Sequence, residues 1–379
     1  MTLRRFLLLF GLAVLVAGSA LLVFNGFRGR RGPDQRNILE RLVARQIVEG
    51  HSLIPPPGLD EAALRWHVAQ QLTKAPVVAV LGSSHSLRIS GPVLGVSGLQ
   101  NFSISGGNLT EHIVTTSLLA KRGLNPRAWV IIVDPWFFDR GTDFGMWKLR
   151  GAVLVAAERR LDHIKRPYLP AIFGPRWHPS AQAGLAERFS ISPLVDWVDD
   201  VAREFVYRPT LADPSAPNPP FLILRSDGAY QVAQDADNAS EPDSTEIAER
   251  QFIQDIDRNR YGNFERVDAD LWRLFERWID DCGNHGTPVF LLLTPYHPAI
   301  YGKIIAQPDN QLRKIHRMLL AFAARRHLRL YGSYNPAKVG MTASDFFDGD
   351  HLNEAGLRRL CKPLAADLQT TLANEPVKR

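Results

Sequence analysis

Cysteine is scarce in this chain: among its 379 residues only Cys282 and Cys361 occur. Two cysteines exclude a small domain that is held together by several disulfides. Both fall at the end or in the interior of a predicted helix. A single disulfide and a pair of buried thiols are therefore both compatible with the sequence.

Zinc-type spacing of cysteine and histidine is also missing, as is a long basic block, and the net charge is +6. These absences exclude the common classes of nucleic-acid-binding protein. Histidines and carboxylates do not recur at the helical i, i+4 spacing that is typical of a metal site. The sequence therefore predicts no nucleic-acid partner, no metal ion and no cofactor.

Long apolar runs are missing too, with one exception near the start of the chain, from Phe6 to Phe24. This run follows Arg4 and Arg5, contains no charged residue, and is long enough to span the hydrocarbon core of a bilayer. A signal peptide cleaved after Ala20 is the alternative, because small residues precede that position. The apolar stretch from Leu21 to Phe24 continues the run and favours an uncleaved single-pass anchor.

Short apolar stretches alternate with longer helical stretches along much of the remaining chain. Such alternation is typical of parallel strands joined by right-handed helical crossovers. The sequence therefore predicts an α/β fold with a parallel sheet of about five strands. The predicted strands are Val77–Leu81, Leu99–Ile104, Trp129–Val133, Pro288–Leu293 and Leu328–Tyr331. The predicted helices are Glu61–Leu72, Leu109–Lys121, Ala269–Cys282, Gln311–Arg326 and Glu354–Leu372.

The same pattern suggests how the chain is divided. Residues 1–30 hold the anchor or signal peptide, residues 31–75 form a membrane-proximal helical linker, and residues 76–375 form the α/β domain. Within that domain the alternation is lost at about residues 136–262, where prolines and polar stretches cluster. We interpret this region as an insertion between the third and fourth strands, above the carboxyl edge of the sheet.

A serine lies where the first predicted strand breaks into a turn, at Gly82-Ser83-Ser84. The turn places the Ser84 hydroxyl at the carboxyl edge of the sheet, where open α/β sheets bind their ligands. A serine hydroxyl is a poor nucleophile, so it needs an imidazole base that a carboxylate orients. His351 and Asp348 supply these groups. Each motif alone is typical of a turn or a helix cap, and only their joint occurrence predicts a catalytic triad.

Three segments of the chain resemble blocks I, II and V of the SGNH (GDSL-like) hydrolases. They are the turn at Ser84, the segment Asn101–Gly107, and the ending Asp348-x-x-His351-Leu-Asn-x-x-Gly356. The resemblance extends over residues 76–375 and implies a three-layer SGNH-type, flavodoxin-like sandwich. It also implies that Ser84 is the nucleophile, His351 the base and Asp348 the orienting acid. The backbone amides of Ser84 and Gly106 correspond to the oxyanion hole.

The third predicted strand departs from the family pattern. Where block III normally has Gly-x-Asn-Asp, this chain has Val133-Asp134-Pro135-Trp136, so the asparagine that usually donates to the oxyanion is missing. Asn108 is a candidate side-chain donor in its place. The departure resembles the membrane-anchored branch of the family, which includes the D-alanyl transfer protein of teichoic acid modification and proteins of polysaccharide O-acetylation.

Four further residues stand near the predicted strand ends or inside the motifs. His297 and Asp134 are candidates for substrate binding, with a turn or cap role as the alternative for each. His85, next to the nucleophile, is expected to point away from it. Asp350, between the two predicted triad members, is expected to be a turn residue rather than the orienting acid.

The resemblance and the apolar run together lead to a functional expectation. We expect a single-pass protein of the inner (cytoplasmic) membrane with its catalytic domain in the periplasm. The expected activity is serine-dependent O-acylation or deacylation of a cell-surface or exported polysaccharide, with a membrane-bound O-acyltransferase as partner. The alternatives are a carbohydrate or lipid esterase that releases the acyl group to water, and a non-catalytic factor for polysaccharide export or assembly.

Overall fold

The computed structural model describes residues 37–141, 207–216, 219–232, 241–255 and 259–374. The predicted anchor Phe6–Phe24 lies outside these residues, as do the parts of the predicted insertion that fall in the gaps. None of the helices within the described ranges is both long and apolar enough to cross a membrane.

Five parallel strands form the main sheet, in the order β2-β1-β3-β6-β7. Their bounds are β1 Val78–Leu81, β2 Leu99–Asn101, β3 Ala128–Ile132, β6 Val289–Leu293 and β7 Arg329–Gly332. The predicted α/β fold with a five-stranded parallel sheet is thus confirmed. The chain leaves β1 to form β2 on one side and returns to form β3 on the other. The crevice between the carboxyl ends of β1 and β3 is therefore the switch point at which such sheets bind ligands.

Helices cover the sheet, and a separate antiparallel hairpin lies outside it. The hairpin pairs β4 Leu222–Leu224 with β5 Tyr230–Val232. The helices are α1 Ile38–Val48, α2 Glu61–Gln71, α3 Gly91–Leu94, α4 Leu109–Lys121, α5 Glu241–Asp255, α6 Ala269–Cys282, α7 Pro298–Ile305, α8 Leu312–Arg326 and α9 Glu354–Asn374. Helices α4 and α6 have the bounds that the sequence predicts.

Side chains along the central strands alternate between two hydrophobic cores, one on each face of the sheet. In β1, Ala79 and Leu81 belong to the first core, and Val78 and Val80 belong to the second. Apolar residues of α1, α2, α4, α6 and α8 complete the first core, and residues of α3 and α9 complete the second. Covering both faces with helices is what a parallel sheet requires, because its strands are apolar on both sides.

The predicted linker at residues 31–75 carries α1 and α2, which pack on the main sheet. Val43 of α1 and Leu64 of α2 are fully buried in the same core as Leu81 of β1. The side chain of Asp60 accepts a hydrogen bond from the Ala63 amide at 2.9 Å and so caps the start of α2. These two helices are therefore packed as part of the α/β domain.

Both cysteines are buried free thiols. Cys282, at the end of α6, lies in the first core, and Cys361, in α9, lies in the second. The sheet separates them, so the disulfide alternative is wrong and the buried-thiol alternative is confirmed. Burial raises the pKa of the Cys361 thiol to about 12, which keeps it protonated and unreactive at neutral pH.

Candidate active site

A tight turn after β1 presents Ser84. The turn requires glycine at position 82, because a Cβ atom there would lie 2.4 Å from Ser86 Oγ and 2.7 Å from Ile132 Cβ. Ser83 Oγ then accepts a hydrogen bond from the His85 amide at 3.3 Å and caps the 3₁₀ turn Ser84–Ser86. The result is a half-buried Ser84 at the carboxyl end of β1, as predicted.

Asn101, at the end of β2, holds this turn from behind. Its Nδ2 atom donates hydrogen bonds to Ser86 O at 2.8 Å and to Ile89 O at 2.9 Å. Ser86 Oγ donates to Ser103 Oγ at 2.8 Å. Asn101 and Ser103 thus fix the turn at Ser84 through buried side chains. This supporting role was not predicted, although Asn101 begins the segment Asn101–Gly107 that was expected to carry an oxyanion donor.

Asp348 and His351 meet Ser84 from the loop before α9. Asp348 Oδ1 accepts hydrogen bonds from the Asp350 amide at 3.0 Å and the His351 amide at 2.8 Å, so the loop's own backbone fixes the carboxylate. His351 Nδ1 lies 2.9 Å from Asp348 Oδ2, and His351 Nε2 lies 2.8 Å from Ser84 Oγ. The structure therefore brings the three predicted triad residues together in the order that a serine nucleophile needs.

A second histidine and two further carboxylates lie beside this triad. His85 Nδ1 lies 2.7 Å from Asp134 Oδ1, and His85 Nε2 lies 3.7 Å from Asp350 Oδ2. Asp350 Oδ1 is 3.3 Å from His351 Nδ1, and Arg260 Nε is 3.4 Å from Asp350 Oδ2. His85 therefore faces the site, whereas the sequence led us to expect that it points away.

Of the two aspartates near His351, Asp348 makes the closer contact with its Nδ1 atom. Both of its oxygens lie within 3.0 Å of His351 Nδ1 in hydrogen-bond geometry. Asp350 is farther, at 3.3 Å, and its other oxygen faces His85 and Arg260. Asp350 is nonetheless more than a turn residue, since its buried carboxylate stands between the two imidazoles.

The ionisable groups in this cluster shift one another's pKa values. Burial alone would lower the pKa of His85, but Asp134 and Asp350 outweigh it and raise the pKa to about 10. Burial opposes ionisation of Asp350, yet His351, His85 and Arg260 bring its pKa below the usual range. Burial likewise opposes protonation of His351, and the two carboxylates raise its pKa. His85 is thus a buried imidazolium at neutral pH, next to an ionised Asp350.

The ligand atoms of His85, Asp350 and His351 lie within 4.8 Å of one another, a group of a kind that can hold a metal ion. Two imidazoles and a carboxylate are suitable ligands for zinc. In this arrangement, however, Asp350 Oδ2 lies 3.4 Å from Arg260 Nε, and His351 Nε2 lies 2.8 Å from Ser84 Oγ. The contacts with Arg260 and Ser84 engage two of these three residues within the protein, and we assign no ion here.

The predicted oxyanion segment lies close to the nucleophile turn. The Ile104 amide donates to Gly82 O at 3.0 Å, and the Gly107 amide donates to Ile104 O at 2.7 Å. Between them, Gly106 has a φ of 62°, a left-handed conformation that glycine adopts without strain. Trp136 Nε1 donates to Gly107 O at 2.9 Å and fixes the segment from the β3 side. The oxyanion role of the Ser84 and Gly106 amides stays a prediction.

Asn108, the other predicted oxyanion donor, begins α4. Its Oδ1 atom accepts hydrogen bonds from the Thr110 amide at 3.0 Å and the Glu111 amide at 3.3 Å, and Glu111 completes the capping box. Capping uses the oxygen of the side-chain amide, whereas donation to an oxyanion would use its nitrogen. The second role of Asn108 therefore stays a prediction.

Both predicted substrate-binding residues are fully buried. His297 begins α7, where its Nδ1 accepts from the Ala299 amide at 3.1 Å, and burial lowers its pKa to about 4. Its backbone amide donates to Gly349 O at 3.0 Å, which ties α7 to the loop that carries Asp348 and His351. Asp134 binds His85 and makes no cap hydrogen bond. Contact of either residue with substrate stays a prediction.

An open cavity of about 590 Å³ adjoins Ser84. This volume lies within the range of about 300–1,000 Å³ that is typical of small-molecule sites. Ser84, His85, Asp348 and His351 form its polar end. The rest of its wall is mainly apolar and consists of Pro55, Pro56, Pro57, Gly58, Leu59, Glu61, Leu87, Arg88, Leu222, Tyr230, Val232, Phe347, Leu352 and Leu357.

Comparison of the sequence with protein-family models gives no match. A search of curated proteins likewise finds no matching relative.

Proposed function

We propose that this chain is an SGNH-type serine acyltransferase or esterase that forms an acyl-enzyme at Ser84. One observation carries the proposal: Ser84 Oγ lies 2.8 Å from His351 Nε2, while His351 Nδ1 lies 2.9 Å from Asp348 Oδ2. These distances match the reach needed between a nucleophile, its base and the acid that orients the base. The position at the β1/β3 switch point gives independent support.

In the first half-reaction, His351 Nε2 takes the Ser84 proton as Oγ attacks the ester carbonyl carbon. The carbonyl oxygen becomes an oxyanion, for which the amides of Ser84 and Gly106 are the proposed donors. The tetrahedral species collapses, the ester C–O bond breaks, and the imidazolium returns the proton to the leaving alcohol. Asp348 holds Nδ1–H and stabilises the positive charge on His351 while it lasts.

In the second half-reaction, the acceptor hydroxyl gives its proton to His351 and attacks the acyl-serine carbonyl. The bond from the acyl carbon to Ser84 Oγ then breaks, and His351 returns the proton to Ser84. The same geometry serves a sugar hydroxyl, which gives acyl transfer, or water, which gives hydrolysis. The complete triad argues against a non-catalytic assembly factor.

The proposed acceptor is a cell-surface or exported polysaccharide, and the proposed location is the outer side of the cytoplasmic membrane. The resemblance to the membrane-anchored branch of the family supports this choice, as does the apolar run Phe6–Phe24. A membrane-bound O-acyltransferase would supply the acyl group. The second candidate, a lipid esterase, is favoured by the apolar wall of the cavity beside Ser84.

The location is testable with a C-terminal alkaline phosphatase fusion in a bacterial host. We expect an active fusion, because alkaline phosphatase folds only outside the cytoplasm. We also expect the fusion to stay in the membrane fraction after a carbonate wash. An inactive fusion would indicate the opposite topology and would exclude polysaccharides outside the cell as acceptors. A purified protein that begins at Leu21 would show that the apolar run is a cleaved signal peptide.

The acceptor can be tested by measuring how the acyl-enzyme divides its acyl group between an oligosaccharide and water. We expect oligosaccharides from an acylated exopolymer to receive the acyl group from a p-nitrophenyl ester, at a rate that saturates with oligosaccharide concentration. Mass spectrometry of the sugar gives the product directly, and Ser84→Ala is the control for non-enzymatic transfer. If the acyl group passes only to water even when oligosaccharides are present, the esterase alternative is favoured.

A further inference from the structure

The residues that line the cavity restrict the chemistry of the substrate more closely than the triad does. We propose that the cavity binds the acyl chain of the ester, and that this chain is apolar and several carbons long rather than an acetyl group. The inference rests on the proposed function, because it assigns the substrate of the same serine. It commits the site to a fatty-acyl type of donor.

The apolar wall comes from three separate parts of the fold. The hairpin contributes Leu222 and Val232, whose Cα atoms face each other across the two strands. Leu352 and Leu357 flank the start of α9, and Leu352 directly follows His351 in the chain. The segment 55–59, which is three prolines followed by Gly58 and Leu59, closes a third side. An apolar chain placed here is removed from water on several sides.

Among the residues that the structure describes, Glu61 and Arg88 are the ionisable side chains of the cavity wall besides His85, Asp348, His351 and the phenol of Tyr230, and backbone groups bind both. Glu61 Oε2 accepts a hydrogen bond from the Ser105 amide at 2.7 Å, and Arg88 Nη1 donates to Leu352 O at 3.3 Å. A sugar ring in this space would bury several hydroxyls that each need a hydrogen-bond partner. The wall offers few such partners, so an apolar chain fits it and a sugar ring does not.

The acyl half of the ester is the half that needs such a site. In both proposed reactions the acceptor is polar, because it is either a sugar hydroxyl or water. The leaving alcohol departs after the first half-reaction, whereas the acyl chain stays attached to Ser84 Oγ until the second. Ser84 and His351 both line the cavity, so a chain bound to Oγ can extend into it.

A series of p-nitrophenyl esters from acetate to decanoate tests the proposal, because the leaving group is constant. Each buried methylene is expected to raise kcat/KM by up to about fourfold, until the cavity is full. We expect octanoate to exceed acetate by at least about tenfold. A profile that is flat or falls from acetate onward would overturn the proposal and leave the serine mechanism intact.

A tryptophan that fills the cavity provides the matched variant. Val232→Trp places an indole in the wall and should lower the octanoate-to-acetate ratio of kcat/KM by at least about tenfold. The control is Phe221→Trp, next to Leu222 in the chain, 65% exposed and not part of the wall. We expect that control to keep the wild-type ratio. An unchanged ratio in folded Val232→Trp would contradict the assignment of the cavity.

Binding without turnover separates this inference from the proposed function. Calorimetry with the Ser84→Ala protein should show octanoate binding at least about tenfold more tightly than acetate. Adding Val232→Trp should remove that difference. If octanoate binds in this way but no ester is turned over, the acyl site stands and the serine mechanism fails. If octanoate binds no better than acetate, the acyl site is wrong whatever the turnover.

Discussion

Replacing His351 with alanine is expected to lower kcat for ester turnover by about 10⁴- to 10⁶-fold, because triad members act as a unit. Its Nε2 atom is 2.8 Å from Ser84 Oγ, and no other imidazole is placed to remove that proton among the residues that the structure describes. His85 is occupied by Asp134 at 2.7 Å, and His297 is buried at the start of α7. Steady-state kinetics with the best p-nitrophenyl ester measures the loss.

The double variant Ser84→Ala/His351→Ala should be no slower than either single variant. Independent losses would instead multiply, and that result would mean that the two residues act in different steps. A His351→Ala protein with wild-type turnover would assign the base to another residue. His85→Gln tests the neighbouring imidazole. We expect a smaller loss of kcat than in His351→Ala, because His85 faces Asp134 and Asp350 rather than Ser84 Oγ.

The two aspartates beside His351 should differ strongly in effect. Asp348→Asn is expected to lower kcat by about 10³- to 10⁴-fold, because an amide in its place favours the wrong imidazole tautomer. Asp350→Asn should lower kcat by no more than about tenfold, since Asp348 keeps the closer contact with Nδ1. Equal losses in the two variants would contradict the assignment of Asp348 as the orienting acid.

The pH profile gives Asp350→Asn a second readout. His351 acts as a base only when neutral, so activity falls as the pH drops through its pKa. Burial lowers that pKa, but Asp350 and Asp348 raise it above the usual value. Removing the Asp350 charge should therefore move the acid limb of kcat/KM to lower pH. A limb that stays in place or moves upward would show that Asp350 does not act on His351 electrostatically.

Much of the sheet could be predicted because its strands are buried on both faces. Val78–Leu81 and Val289–Leu293 are continuous apolar runs, and such runs are typical of central parallel strands. Helix α6 has an apolar stripe of Leu271, Phe275 and Trp278 at helical spacing, so its bounds were clear. Helix α5 was missed because most of its residues are polar and it lies within a region rich in prolines and polar residues.

The triad could be predicted because each member sits in a short local motif. The charged cluster beside the triad could not be predicted in this way. His85, Asp134 and Asp350 lie in three separate segments of the sequence, and only the order of the strands in the fold brings them together. Asp134 follows β3, which is the neighbour of β1 in the sheet, and this adjacency brings it within 2.7 Å of His85. An ionisable side chain after each of two neighbouring strands, His85 after β1 and Asp134 after β3, was the available signal. The lining of the cavity had no signal of this kind, since its residues come from distant segments.

Mass spectrometry of the protein after reaction with a fluorophosphonate tests whether Ser84 is the nucleophile. We expect one adduct, on Ser84, that disappears in Ser84→Ala and weakens strongly in His351→Ala. Ser83 and Ser86 are built-in controls, because both are fully buried and Ser86 Oγ already donates to Ser103 Oγ. An adduct on either of those serines, or labelling that persists unchanged in Ser84→Ala, would contradict Ser84 as the nucleophile.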